Sequence, residues 1–325
     1  MCIREHPLST PPIKPATYLI TAATGRQGGA AARLLLKNGN TVHALVRNKA
    51  SAESHTLQKL GVALFEGDYN NKEAIKEAIQ GVQGIFLNLF PTFDLHTQGQ
   101  QAQYFVEIAK AAGVESVVLS TVFYVNRPDL WEPRDGMRAY YEAQAIVEDV
   151  IRTSGLTYAI MRPPALMHNF LKPDSQWHYP ELATEGKLAH AFEPTARTPY
   201  LDGADVGRFA VAALLDPRGF SGHEIDLCAQ NLTIDEIGGS LRKASGRNIP
   251  IVRRTAEELE AKKDMLPTLS FQVMANEVDI TIDAEALTER YGIRMTTLDE
   301  FLERERENLL RSLPAVDGDD QKEPK

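Results

Sequence analysis

Between Tyr18 and Arg162 the sequence alternates short runs rich in β-branched and aromatic residues, YLITA, TVHALV, VALFEG, GIFLNLF, SVVLST and TYAIMR, with longer stretches of helical period. Those stretches read GGAAARLLLKN, SAESHTLQKL, NKEAIKEAIQ, LHTQGQQAQYFVEIAKAAG and AYYEAQAIVEDVIRTSG. They close on Asn38-Gly39, Gly61, Gly81, Gly113 and Gly155, residues suited to a helix C-cap. Strand and helix in strict succession specify parallel strands joined by helical crossovers, because a parallel neighbour needs a connection long enough to bring the chain back to the same edge. Short continuous apolar runs fit strands covered on both faces. The expected fold class is α/β, a doubly wound parallel sheet of the Rossmann kind over residues 16–162.

After Arg162-Pro163-Pro164 this rhythm gives way to loops rich in Pro, His and aromatics, then to helical segments at DVGRFAVAALLD, TIDEIGGSLRKASG, TAEELEAKKDM and TLDEFLERERENLLRSL. No repeat period is present. Residues 163–313 are therefore expected to form a smaller C-terminal cap within the same globule, between a flexible N-terminus (1–15) and a disordered tail (314–325).

The balance of 35 Lys+Arg against 44 Asp+Glu, net −9, supplies no basic field for nucleic acid or anionic lipid, so a small-molecule partner is expected. Two cysteines, Cys2 and Cys228, support neither a disulfide framework nor a Cys-rich zinc site. No apolar run reaches the length of a signal peptide core or a membrane span, which points to a cytoplasmic setting. The GxSxG, HExxH and Walker patterns are absent, leaving hydrolase, zinc-protease and NTPase chemistry without support, and no metal site is expected.

TAATGRQGGAAARLLL, Thr21 to Leu36, places a tight turn between the first strand and the first helix. Such a junction aims the unpaired N–H groups of the helix at the carboxyl edge of the sheet, where a pyrophosphate can sit. Gly25 allows close approach to the phosphates and Gly28 allows the helix to pack on the strand, with Thr24, Arg26 and Gln27 beside them. Ala22 and Ala23 stand where a first glycine would ease the turn. Either the turn is shaped differently or it tolerates strain of about 1–2 kcal/mol.

Arg47 ends the second strand in VHALVRNK, with Lys49 nearby. A guanidinium there suits the 2′-phosphate of NADP, where an acid would suit the ribose of NAD, so NADP is the expected cofactor. Asp68 in FEGDYNN and Asn88 at the end of the fourth strand face the same crevice; Asp68 is either a cofactor contact or the N-cap of the following helix.

The glycine loop, the Arg after strand two, GDYNN, and the later MRPPALMHNFL, YPEL and TPYLDGADVGRFAVAALLDP resemble the NmrA-like family of atypical short-chain dehydrogenases/reductases, from about Tyr18 to about Leu313. The resemblance implies an NADP-preferring Rossmann domain with a small substrate-binding part. It also implies two kinds of activity, reduction of small molecules or NADP(H) binding without turnover by a redox sensor that acts on a regulatory protein partner.

Short-chain dehydrogenases use a Tyr with a Lys four residues later on one helix face, the Lys lowering the phenol pKa. In MRAYYEAQAIVEDV Tyr140 is followed at that spacing by Gln144, which can hydrogen-bond a ribose but carries no charge. The expected catalytic set is Tyr140, Gln144 and Thr121, the last from LSTVF at the end of strand five. Tyr140 or Tyr141 donates to substrate as a phenol held by Thr121, or His168 in ALMHNF donates instead. Phe90, Phe93, Tyr141, His168 and Trp177 are the expected substrate walls. The function that follows is an NADP(H)-dependent reductase of a small carbonyl-, imine- or enone-type substrate, aromatic or heterocyclic; the alternative is a sensor without turnover.

Overall fold

Seven strands pair in parallel in the computed structural model of the chain, which describes residues 15–90, 94–262, 266 and 268–315. They are β1 (Thr17–Ile20), β2 (Thr41–Val46), β3 (Ala63–Glu66), β4 (Gly84–Asn88), β5 (Ser116–Ser120), β6 (Thr157–Arg162) and β7 (His223–Asp226). Their order is β7-β6-β5-β4-β1-β2-β3. The order reverses between β1 and β4, which opens a crevice at the carboxyl edge, the usual ligand position in such sheets.

Helices α1 (Arg26–Lys37), α2 (Ala52–Lys59), α3 (Lys72–Ile79), α4 (Thr97–Ala112) and α5 (Asp135–Arg152) follow β1 to β5. The apolar faces of α3, α4 and α5 bury Ile75, Phe105, Val147 and Ile151 against Leu19, Ile85 and Leu119 on one face of the sheet. On the other face α1 meets α6 (Gly203–Leu215), and Leu35, Val206 and Phe209 pack on Ile20 and Phe86. These two layers are the doubly wound arrangement expected from the alternation.

The sheet does not end at residue 162. β7 returns from the second half to pair with β6, His223 opposite Ala159 and Asp226 opposite Arg162, and α6 supplies a covering helix. HEID carries a single apolar β-branched residue in four, so it has no strand signal of its own; the open edge of β6 recruits it. The rest of 163–313 builds a third core around Phe170, Tyr200, Leu241 and Phe301. That core includes a sheet of Ala165–Leu166, Thr198–Leu201 and Gln230–Leu232. The segment read as one C-terminal helix divides into Leu298–Arg304 and Arg306–Ser312. Residues 1–14 and 316–325, covering most of the expected flexible terminus and tail, lie outside the described residues.

Candidate functional site

Ala22, the first residue past Thr21 in the turn after β1, takes a left-handed φ of 47°. Strain of about 1–2 kcal/mol is tolerated, not avoided. Neighbouring bonds hold it: the Ala22 N–H donates to Tyr69 Oη at 3.1 Å, and the Ala22 carbonyl accepts the Gly25 N–H at 2.9 Å. Thr21 Oγ1 accepts the Asn88 N–H at 2.7 Å, locking the turn to the end of β4.

Gly25 caps α1 with no side-chain bond, and the first turn of α1 holds no acid. Its leading N–H groups therefore have neither an intrahelical partner nor a cap, and they carry the positive end of the helix dipole. A Cβ on Gly28 would lie 2.5 Å from the carbonyl oxygens of both Thr21 and Ala22, so only glycine lets the helix start this close to the strand. Thr24, Gly25 and Arg26 are exposed at this end. The arrangement is a cradle for an anion.

Gln27 is aimed elsewhere. Its Oε1 accepts from Asn88 Nδ2 at 3.0 Å and from Ser120 Oγ at 2.8 Å, so the side chain ties the first turn of α1 to the ends of β4 and β5. Arg47 and Lys49 stand exposed past β2. The Arg47 charge reaches the Tyr69 phenol and works against the burial that raises its pKa. Asp68 is spent locally: its Oδ1 accepts the N–H groups of Asn70 (2.9 Å) and Asn71 (3.1 Å), and Asn71 is the N-cap of α3. Of the two readings left open for Asp68, the N-cap falls instead to Asn71, three residues later, because Asp68 makes the turn that leads into it.

α1 and α6 start side by side. A Cβ on Gly203 would meet Arg26 Cβ at 2.9 Å, and one on Gly207 would meet Ala30 Cβ at 2.8 Å. His168 lies at this junction, 6% exposed, edge-on to Phe301, with no hydrogen-bond partner for Nδ1. It is placed at the start of α6, within 3.5 Å of where a Cβ on Gly203 would lie, and within reach of the Arg26 charge.

Burial first, and then the Arg26 charge, pushes the His168 imidazole from 6.5 down to about 4. Such a base takes up protons on unfolding throughout that window. The stability it contributes is complete above pH 6.5 and lost as pH falls toward about 4. Replacing His168→Gln should flatten the acid dependence of urea unfolding by about 3 kcal/mol. Because Asp205, pushed up by burial to about 6, acts in the opposite direction in both proteins, the difference between wild type and variant isolates the histidine.

Along α5, Tyr140, Gln144 and Glu148 recur every fourth residue and share a face. Burial pushes the Tyr140 phenol up to about 12. Tyr141 is 3% exposed and stacked on Trp131, its pKa raised by burial, and it packs in the core around Phe170, Tyr200 and Phe301. Gln144 is buried and its Nε2 donates to Gln98 Oε1 on α4 at 3.1 Å, where a ribose contact was expected. Thr121 does not hold a tyrosine either: its Oγ1 donates to Glu148 Oε1 at 2.7 Å.

Glu148 in turn pairs with Arg162 (2.9 and 2.7 Å), a buried pair extended by the half-buried Arg152, Glu224 and Asp226. Sequence reading missed this network, since its members come from α5, β6 and β7 and none stands in a recognisable motif. It also missed Tyr69, although the residue lies in the GDYNN run.

Phe90 is 77% exposed beside the crevice, and Trp177 is 68% exposed on the short helix Ser175–His178. Arg26 and Asp174 approach to 3.9 Å, which brings that helix against the start of α1. Phe93 lies outside the described residues. A cavity of about 430 Å³ opens beside the start of α4, between Asn70, His96, Gln100 and Ile146. Among the described residues no helix is long and apolar enough to cross a membrane, and no group of three or more His, Cys, Asp or Glu is arranged to hold a metal ion.

Several known proteins share sequence with this chain. Agroclavine dehydrogenase of Claviceps fusiformis is 26% identical, covering 76% of this chain and 79% of its own. Isoflavone reductase of Cicer arietinum is 26% identical, covering 88% and 97%. Among solved structures, the NADPH-dependent quinone oxidoreductase of Escherichia coli in complex with NADPH superposes with a TM-score of 0.70 at 21% identity, covering 88% of this chain and 99% of its own. NmrA, a negative transcriptional regulator in complex with NADP, superposes at 0.71 and 20% identity, covering 90% and 95%. At those identities the superpositions establish the shared fold. The sequence profile of the NmrA-like family matches residues 15–308, and the chain belongs to that family.

Proposed function

We propose that the chain is an NADP(H)-dependent oxidoreductase that reduces a small carbonyl-, imine- or enone-type substrate of aromatic or heterocyclic character. The observation that carries this reading is the uncapped amino end of α1, opened by Gly25 and Gly28 at the sheet's point of reversal. Relatives named as reductases and oxidoreductases support the chemistry, and similar folds solved with NADPH or NADP support the cofactor.

The first-turn N–H groups of α1, with Arg26, would hold the pyrophosphate, and Arg47 and Lys49 the 2′-phosphate. The cofactor when bound supplies a hydride. With its pKa near 12, Tyr140 stays a neutral phenol at physiological pH and acts as a hydrogen-bond donor. Phe90 and Trp177 offer apolar surface near the crevice.

Arg47→Asp is expected to weaken NADPH binding by about 10- to 100-fold, the worth of a charge-assisted bond, while changing NADH binding little. Calorimetric titration reads both. Equal affinity of the wild-type chain for NADPH and NADH would count against the assignment of Arg47.

A second reading, a redox sensor without turnover, is favoured by one observation: the residue four after Tyr140 is a neutral amide committed to Gln98. A sensor must bind NADP⁺ and NADPH unequally, because equal affinity shifts no conformational equilibrium. Equal dissociation constants for the two forms would remove it.

A further inference from the structure

The hydrogen bond between Thr121 and Glu148 fixes which way a hydrogen points. Glu148 is fully buried, and besides Thr121 its oxygens receive Arg162 Nε at 2.9 Å, Arg162 Nη2 at 2.7 Å and Arg152 Nη2 at 2.5 Å. Three N–H bonds from two guanidinium groups hold Glu148 as an acceptor-only carboxylate, so the hydrogen shared with Thr121 at 2.7 Å is the hydroxyl's own. A threonine hydroxyl has one hydrogen and two lone pairs. With the hydrogen committed inward, only lone pairs remain. The Thr121 N–H is spent as well, donating to the Met161 carbonyl at 3.0 Å.

Thr121 is half-buried and follows β5 directly at the carboxyl edge of the sheet. Its neighbour Ser120 bonds to Gln27 in the first turn of α1. β5 lies two strands from β1, roughly 10 Å along the edge. A dinucleotide phosphate held at α1 thus leaves a nucleoside to extend toward Thr121.

We propose that Thr121 is an acceptor-only position selecting a hydrogen-bond donor, the carboxamide NH₂ of a nicotinamide, and that Glu148 is the positioning residue that sets this polarity. The inference rests on the NADP(H) reading and adds the polarity of one contact. A carbonyl oxygen turned toward Thr121 meets lone pairs and is repelled. Thr121 is thereby removed as a donor to a substrate carbonyl, the part a hydroxyl at this place would otherwise play.

The test compares NADP⁺ with its 3-acetylpyridine analogue, in which a methyl group replaces the carboxamide NH₂ and the carbonyl is kept. Dissociation constants are measured by calorimetry for wild type, Thr121→Ser and Thr121→Val. Wild type should prefer NADP⁺ about tenfold, the effect of one hydrogen bond left unmade. Thr121→Ser should keep that preference and Thr121→Val should bring the ratio close to one. A purely structural role would weaken both ligands alike and leave the ratio unchanged. A wild-type ratio near one, or a preference retained by Thr121→Val, overturns the proposal while leaving NADP(H) binding in place. Failure of wild type to bind either nucleotide overturns the NADP(H) reading and this inference with it.

Discussion

Replacing Arg162 by methionine is expected to destabilise the fold by about 3–5 kcal/mol, as removal of one partner from a buried ion pair generally does. Arg162 is 1% exposed and the largest fully buried side chain among the described residues. Its guanidinium bonds both oxygens of Glu148, also bonds Glu224, and lies 3.9 Å from Asp226 Oδ2. Without it, Glu148 and Glu224 are left with Arg152 as their remaining guanidinium partner. The penalty arises from stranded charge and not from lost volume, so the double replacement Arg162→Met, Glu148→Leu should cost less than Arg162→Met alone. Urea unfolding of the two variants measures this directly. A double variant less stable than the single one would show that packing around Arg162, not its charge, holds β5, β6 and β7 to α5.

The second large effect is expected at Gly28. A methyl group there would lie 2.5 Å from two backbone carbonyl oxygens, and backbone cannot rotate away as a side-chain tip can. Gly28→Ala must push α1 off the turn, at a cost of about 1–3 kcal/mol in stability. The same displacement moves the free N–H groups of the first turn, so NADPH affinity should fall by more than tenfold, since hydrogen bonds to a charged group are the stronger kind. Gly29→Ala makes the contrast: its added carbon would sit 3.0 Å from the Ala23 carbonyl and from the end of the flexible Arg33 side chain, a smaller intrusion. Calorimetry and urea unfolding on the pair separate loss of the anion cradle from general damage to the helix.

The six strands between Thr17 and Arg162 were legible because each is a short apolar run bounded by a helix with a glycine or asparagine stop, a signal contained in local sequence. β7 was not legible, because its four residues are strand only by virtue of the free edge of β6. The tight turn and the uncapped start of α1 were legible from Gly25, Gly28 and the adjoining strand and helix, whereas the missing first glycine left open whether the turn changes shape or carries strain, and the left-handed φ of Ala22 decides for strain. The places around Tyr140 were not. The spacing of Tyr140 and Gln144 is right for one helix face, but which partner each side chain takes depends on α4 and on the ends of β5 and β6. Gln144 meets Gln98, Thr121 meets Glu148, and Tyr141 meets Trp131. His168 illustrates the same limit: its type suggests proton transfer, but its burial at the α1–α6 junction lowers its pKa and gives it a structural setting.

The central claim, that the amino end of α1 and Arg47 form a site for NADP(H), is tested most directly by calorimetric titration of the chain with NADPH. Saturable binding with one site per chain, tighter than for NADH and weakened more than tenfold by Gly28→Ala, is the predicted result. Absence of saturable NADPH binding by the folded wild-type chain would contradict it.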